Sequence, residues 1–125
     1  MIKAKRGDQL PPPPEREEWD LRFATKESLA FPELQRQFPG TCAEAVARLR
    51  VAPDERTDVQ KPLKGRLGRR AVRGRDLAQW QYDTSSGARL WYCIDHDEHI
   101  VWLTNASAGH PTATAAKGKR APRNR

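Results

Sequence analysis

The chain has 125 residues, 37% of them hydrophobic and 31% charged, so it has room for one folded domain with solvated ends. No segment approaches the roughly 20 consecutive apolar residues of a membrane span, which excludes an integral membrane helix. Two cysteines are too few for a disulfide framework and show no metal-binding spacing, so we expect a reduced, cytoplasmic protein that contacts no membrane.

Positive charge is concentrated in one stretch of a chain whose formal net charge is +7. Residues 15–58 hold ten acidic and seven basic side chains. Residues 61–75, here called the basic segment, hold seven basic side chains and no acidic one: Lys61, Lys64, Arg66, Arg69, Arg70, Arg73 and Arg75. Such a run either keeps a surface solvated or binds a polyanion. Its length favours a polyanion, with binding that weakens steeply with salt.

The two ends of the chain are predicted to lie outside the folded domain. Residues 1–18 combine a basic start, four consecutive prolines and a charged run, and they offer little to bury. We expect a disordered proline-rich arm, either a stiff linker or a polyproline II segment that docks an aromatic groove. Residues 112–125 are small, polar and basic and predict a disordered tail, so the domain should span residues 19–111.

A strand and two helices are predicted to begin the domain. The period of two typical of a half-buried strand is carried by Trp19, Leu21 and Phe23. A first helix follows, restarts with Pro32 in its first turn and ends at Gly40. The residues Thr41 to Glu44 have the form of a capping box and predict the start of a second helix, which Pro53 closes.

Three strands joined by tight turns are predicted to end the domain, over Leu77–Thr84, Arg89–Asp95 and His99–Thr104. If Gly87 takes the left-handed position of a three-residue loop, Asp83 pairs with Arg89. One face of the sheet, the apolar face, then carries Trp80, Tyr82, Leu90, Tyr92 and Ile94. The other, the polar face, carries Gln79, Gln81, Asp83, Arg89, Trp91 and Cys93. The helices should cover the apolar face and leave the polar face open and concave.

A series of motifs in the second half of the chain resembles the RelE/ParE toxin superfamily. The motifs are Lys61-Pro62-Leu63-Lys64-Gly65, then Arg89-Leu90-Trp91-Tyr92-Cys93-Ile94-Asp95, then Ile100-Val101-Trp102-Leu103 and finally Gly109-His110. The resemblance covers residues 19–111. It implies a RelE-like α+β fold, in which an N-terminal strand and two helices pack on a three- to four-stranded, mainly antiparallel sheet.

The resemblance also implies a function, because RelE-like members cleave messenger RNA on the ribosome by helping a ribose 2′-hydroxyl attack the neighbouring phosphate. It implies a metal-independent endoribonuclease toxin that needs no cofactor and whose partners are mRNA, the ribosome and a cognate antitoxin. By resemblance, Arg89 stabilises charge on the phosphate and His110 acts as a general acid or base. The residues expected to hold RNA are Lys61, Lys64, Arg66, Arg69, Arg70, Arg73, Arg75 and Trp91.

The sequence departs from the family pattern in two places. His110 is followed by Pro111 where the family often has an arginine, with no tyrosine a few residues further on. The acid-base glutamate usual on the first strand of the meander is absent, and the polar residues there are Gln79, Gln81 and Asp83. These departures leave open a non-catalytic binding protein of the same fold, such as a DNA gyrase inhibitor or a nucleic-acid-binding adaptor.

Several of these residues have an ordinary structural alternative. Arg89 either binds phosphate or forms a salt bridge with Asp83, and His110 is either catalytic or a surface loop residue before a proline. Trp91 is expected to stack on a base if it shares the face of Arg89. The acidic and histidine residues of the turn at 95–99 are expected to be solvated, because ligands crowded into one turn point in different directions.

Overall fold

The structure is a computed structural model that describes residues 3–108. It contains two short 3₁₀ turns, Glu27–Ala30 and Gly65–Gly68, and two α-helices, α1 (Phe31–Gln37) and α2 (Pro39–Val51). Its strands are β1 (Asp20–Phe23), β2 (Gln60–Pro62), β3 (Arg69–Val72), β4 (Arg75–Asp83), β5 (Arg89–Asp95) and β6 (Ile100–Ser107). The fold class is α+β, as predicted. Within the described residues, neither helix is long and apolar enough to cross a membrane.

The strands form one mostly antiparallel sheet in the order β1-β6-β5-β4-β2, and β3 pairs with β4 beside β2. β1 and β6 are parallel, and the other four pairings are antiparallel. The sheet has six strands where three or four were predicted, because the basic segment pairs with β4 through both β2 and β3. The segment has no apolar alternation to mark these strands, and its pairing depends on the free backbone groups along β4.

The β4–β5 hairpin has the predicted register. Gly87 has a φ of +94°, the Thr84 N–H donates to the Ala88 carbonyl at 2.9 Å, and Asp83 lies opposite Arg89. The predicted separation of the two faces is therefore confirmed. The apolar face packs under both helices in one core that includes Leu21, Phe23, Phe31, Leu34, Ala45, Leu49, Tyr82, Leu90, Tyr92, Ile94, Val101 and Leu103.

The polar face is only partly open, which corrects the prediction of a fully open surface. Its middle carries a second, smaller core of Val72, Leu77, Cys93 and Trp102. The chain between β2 and β3 lies over this region, where the Gln79 side-chain amide donates to the Leu67 carbonyl at 2.8 Å. The covering chain comes from the basic segment, so the end of the face beyond it, near the β4–β5 turn, remains accessible.

The helix boundaries agree with the sequence at one point and differ at another. α1 restarts after a 3₁₀ turn with Pro32 in its first turn, as predicted. The predicted end at Gly40 and the capping box at Thr41 are wrong, because α2 already begins at Pro39 and its first turn has no side-chain cap. A proline at this position has the φ of a helix and no N–H to satisfy. Thr41 instead lies 3.0 Å from the hydroxyl of Ser86.

The amino-terminal segment was predicted to be a disordered arm, whereas its described part packs on the domain. Its backbone pairs with the edge of β1, with Leu10 N–H donating to the Leu21 carbonyl at 2.8 Å and Gly7 N–H to the Phe23 carbonyl at 2.6 Å. Leu10 is 2% exposed and belongs to the main core. The segment therefore covers the otherwise free edge of β1, a role that its composition does not indicate.

Candidate functional site

Arg89 lies at the start of β5, on the accessible end of the polar face. Its side chain is 54% exposed, and its Nε lies 3.7 Å from Oδ1 of Asp83, which is 34% exposed. Within residues 3–108, no hydrogen bond or ion pair engages the two terminal nitrogens of the guanidinium. The ion pair suggested by the sequence is thus present but long, and it leaves the two groups that bind a phosphate most effectively facing solvent.

Trp91 and Asp83 are joined through Gln81 by a chain of hydrogen bonds. The indole Nε1 of Trp91 donates to Oε1 of Gln81 at 2.8 Å, and Nε2 of Gln81 donates to Oδ1 of Asp83 at 3.0 Å. Gln81 therefore fixes the orientation of the indole ring and holds the carboxylate that contacts Arg89. The hairpin register could have indicated this link, because it places Gln81 opposite Trp91.

Lys61 extends this group onto the neighbouring strand. Lys61 lies opposite Gln81 in the β2–β4 pair, so the two residues are on the same face of the sheet. Its side chain is exposed, and it forms no ion pair within the described part of the chain. We refer to Lys61, Gln81, Asp83, Arg89 and Trp91 as the open patch, a shallow surface with two cations, one carboxylate and one aromatic ring.

The other basic side chains predicted to bind RNA do not form a single continuous ribbon. Lys64 and Arg66 are exposed at the 3₁₀ turn next to β2, and Arg70 lies partly buried on the polar face. Two arginines are occupied by carboxylates: Arg69 lies 3.2 Å from Asp76, and Arg75 lies 2.5 Å from Asp97 and 3.5 Å from Asp95. Arg73 lies at the tip of the β3–β4 hairpin, over the ring of Trp102.

The polar residues on the strand where the resemblance to the RelE/ParE superfamily led us to expect a glutamate have structural partners. Gln79 is 2% exposed, and its Oε1 accepts a hydrogen bond from the Thr104 hydroxyl at 2.5 Å while its amide holds the Leu67 carbonyl. Both polar atoms of the Gln79 side chain are therefore engaged in hydrogen bonds within the protein. Asp83 is the one carboxylate of the open patch, so it is the group there that can accept a proton.

The side chains of the histidine-containing turn between β5 and β6 do not come together as a metal site in the described part of the chain. The Asp95 carboxylate is buried beside Arg75, and the His99 ring stacks on Trp19 with 4.0 Å between ring centres. The His96 ring is nearly perpendicular to the same indole, with 5.4 Å between ring centres. Among residues 3–108, no three histidine, cysteine or carboxylate side chains form a group that could hold a metal ion. His110 and the tail at 112–125 lie outside the described residues.

Cys93, in the second core, should make the stability of the protein sensitive to alkaline pH. Burial raises the pKa of its thiol from 9.0 to about 12, against a smaller lowering by Arg70 and Arg69. The unfolded thiol ionises near pH 9 while the folded one stays neutral, so the free energy of unfolding should fall as the pH rises from about 9 towards 12. Urea unfolding on both sides of this range measures the effect.

The matched variant Cys93→Ala should show a smaller loss of stability over the same pH range, because it has no thiol to ionise there. Cys42 provides an internal comparison, since it is also buried and its pKa is raised less strongly. In the native protein, thiol reagents should modify neither cysteine until the chain unfolds. Rapid labelling of native Cys93 would contradict this description of the second core.

Comparison with known proteins identifies no relative, since no protein family, curated protein or solved structure matches the chain.

Proposed function

We propose that the protein is a RelE-like toxin of a type II toxin–antitoxin system, a ribosome-dependent mRNA endoribonuclease that inhibits translation in the cytoplasm until an antitoxin binds it. The observation that carries the proposal is the exposure of Arg89 on an open part of the sheet, where its terminal guanidinium nitrogens have no partner among residues 3–108. A planar guanidinium in this setting matches two oxygens of one phosphate group. The type of reaction is inferred from the motifs that resemble the RelE/ParE superfamily.

The proposed reaction is an internal displacement at phosphorus. The 2′-oxygen of one ribose forms a bond to the adjacent phosphorus, the bond from phosphorus to the 5′-oxygen of the next nucleotide breaks, and the 2′-hydroxyl proton is removed. We assign removal of this proton to Asp83 and stabilisation of the phosphorane charge to Arg89, with Lys61 on a neighbouring oxygen. Protonation of the leaving 5′-oxygen is assigned to His110 on the resemblance alone.

The open patch also favours a second candidate function, a non-catalytic binding protein of the same fold. Its only carboxylate, Asp83, already accepts a hydrogen bond from Gln81 and contacts Arg89. A surface built in this way can hold a phosphate or an acidic partner without performing chemistry on it. A DNA gyrase inhibitor and a nucleic-acid adaptor are the two forms of this alternative.

Induced expression distinguishes these functions. The endoribonuclease should arrest growth, and new RNA 5′ ends should map within translated messages and disappear when translation initiation is blocked. Asp83→Asn should reduce cleavage while leaving RNA binding largely intact, since it removes the proton acceptor and keeps the shape. Growth arrest with a DNA-damage response and intact messages would instead support the gyrase inhibitor. Normal growth with undamaged RNA would contradict the toxin proposal.

A further inference from the structure

A second group of exposed cations lies at the opposite edge of the sheet from Lys61. The amino-terminal segment runs beside β1, and Lys5 and Arg6 directly precede Gly7, whose N–H is bonded to the Phe23 carbonyl. Both side chains are exposed, and neither forms an ion pair within residues 3–108. The nearest acidic residue in this turn is Asp8, whose carboxylate accepts a hydrogen bond from the Lys5 backbone N–H at 2.9 Å.

Arg73 joins this segment from the other side of the polar face. Its guanidinium carbon lies 5.1 Å from the centre of the Trp102 ring, in a cation–π contact. A terminal nitrogen of Arg73 lies so close to Gly7 that a Cβ at that glycine would be 2.5 Å from it. The tip of the β3–β4 hairpin and the amino-terminal segment therefore meet over β6. We call Lys5, Arg6 and Arg73 the arm cluster.

Lys61 and the amino-terminal segment lie at opposite edges of the sheet, and the Arg73 guanidinium lies between them, over Trp102 on the face that carries the open patch. Between β2, which carries Lys61, and the amino-terminal segment lie β4, β5, β6 and β1. Five inter-strand steps of about 4.8 Å give a separation of roughly 24 Å between Lys61 and the amino-terminal segment. This distance exceeds one phosphodiester group and suits a strand of several nucleotides.

We propose that the arm cluster binds the backbone phosphates of the same RNA strand whose scissile phosphate lies on the open patch. This inference rests on the proposed function and adds a footprint to it. The ligand is single-stranded RNA that crosses the sheet roughly perpendicular to the strands, from Lys61 past Trp91 to Arg73 and the amino-terminal segment. The segment that composition alone describes as a disordered arm then forms the far end of the binding surface.

The test compares RNA of two lengths at several salt concentrations by fluorescence anisotropy, with single-stranded oligonucleotides of about 4 and about 16 nucleotides. Wild-type protein should bind the longer oligonucleotide more tightly, and its binding should depend more steeply on salt. The variant Lys5→Ala/Arg6→Ala should lose most of this gain. Its salt slope on the longer oligonucleotide should fall by about 1.4, at about 0.7 per lost phosphate contact, while binding of the shorter one stays unchanged.

The control variant Arg36→Ala/Arg48→Ala removes the same charge from α1 and α2, on the other side of the sheet, and should behave as wild type. Arg73→Ala tests the hairpin side independently, with circular dichroism to confirm folding. If both arm variants keep the wild-type slope and affinity for the longer oligonucleotide, the footprint is wrong and RNA binding at the open patch stands. If wild-type protein binds neither RNA at low salt, or prefers duplex DNA, the proposed function fails as well.

Discussion

Arg89→Ala should abolish the growth arrest caused by induced expression and reduce the rate of RNA cleavage by about 100-fold or more. The guanidinium is the group proposed to meet charge as it develops on the phosphorane, and removal of one such donor typically costs a factor of 100 to 1000. Arg89→Lys keeps the positive charge but cannot make a bidentate contact with a phosphate group, so it should retain only part of the activity. Cleavage mapped on translated messages gives the measurement.

Loss of activity in Arg89→Ala should not come from unfolding. The side chain is 54% exposed, and its ion pair with Asp83 spans 3.7 Å at the surface, where such pairs contribute about 0.2 to 1 kcal/mol. Thermal unfolding should therefore be close to wild type. Arg36→Ala, which removes an exposed arginine from α1, is the matched control and should remain fully toxic. Full toxicity of Arg89→Ala would show that Arg89 only forms the salt bridge with Asp83.

Arg50→Ala should be the most destabilising single change outside the apolar core, at about 3 kcal/mol. Arg50 is 5% exposed, and its guanidinium donates to the carbonyl oxygens of Leu10 at 3.2 Å and Pro12 at 2.5 Å. Its other terminal nitrogen is buried, has no hydrogen-bond partner among the residues that the structure describes, and lies 3.9 Å from Glu18. This one side chain thus fastens the amino-terminal segment to α2, and its removal leaves carbonyl groups without partners.

Differential scanning calorimetry should show the Tm of Arg50→Ala falling by about 12 °C or more, at about 4 °C or more per kcal/mol for a domain of this size. Limited trypsin digestion should cut the amino-terminal segment faster than in wild type. Arg48→Ala, two residues earlier on the exposed side of α2, should change the free energy of unfolding by no more than about 0.5 kcal/mol. Equal stability of Arg50→Ala and wild type would contradict this role.

Most of the open patch was predictable, because four of its five members, from Gln81 to Trp91, lie close together in sequence. Gly87 defines a three-residue turn, and that turn sets the pairing of Asp83 with Arg89 and the face on which Trp91 lies. The position of Lys61 was not predictable in this way, because it depends on how β2 pairs with β4 across a long connection. Gln81 was assigned to the correct face, but its link between Trp91 and Asp83 requires side-chain positions.

The number of basic residues in the basic segment does not show which of them are free to bind a ligand. The segment's seven basic residues look equivalent in sequence, yet Arg69 and Arg75 are paired with carboxylates, whereas Arg73 keeps an exposed charge over the Trp102 ring. Asp95 and Asp97 lie about 20 residues beyond Arg75 and reach it because β4 and β5 are neighbours. Whether a cation is free for a ligand is therefore decided by the pairing of distant strands.

Local patterns in the sequence by themselves determined the α+β class, the β4–β5 hairpin and the division of its side chains between two faces, since period and turn chemistry act within a few residues. Tertiary structure alone decided that the amino-terminal segment completes the sheet edge, that the basic segment forms β2 and β3, and that part of the polar face is covered. These features depend on backbone groups and buried surfaces that meet only after the chain has folded.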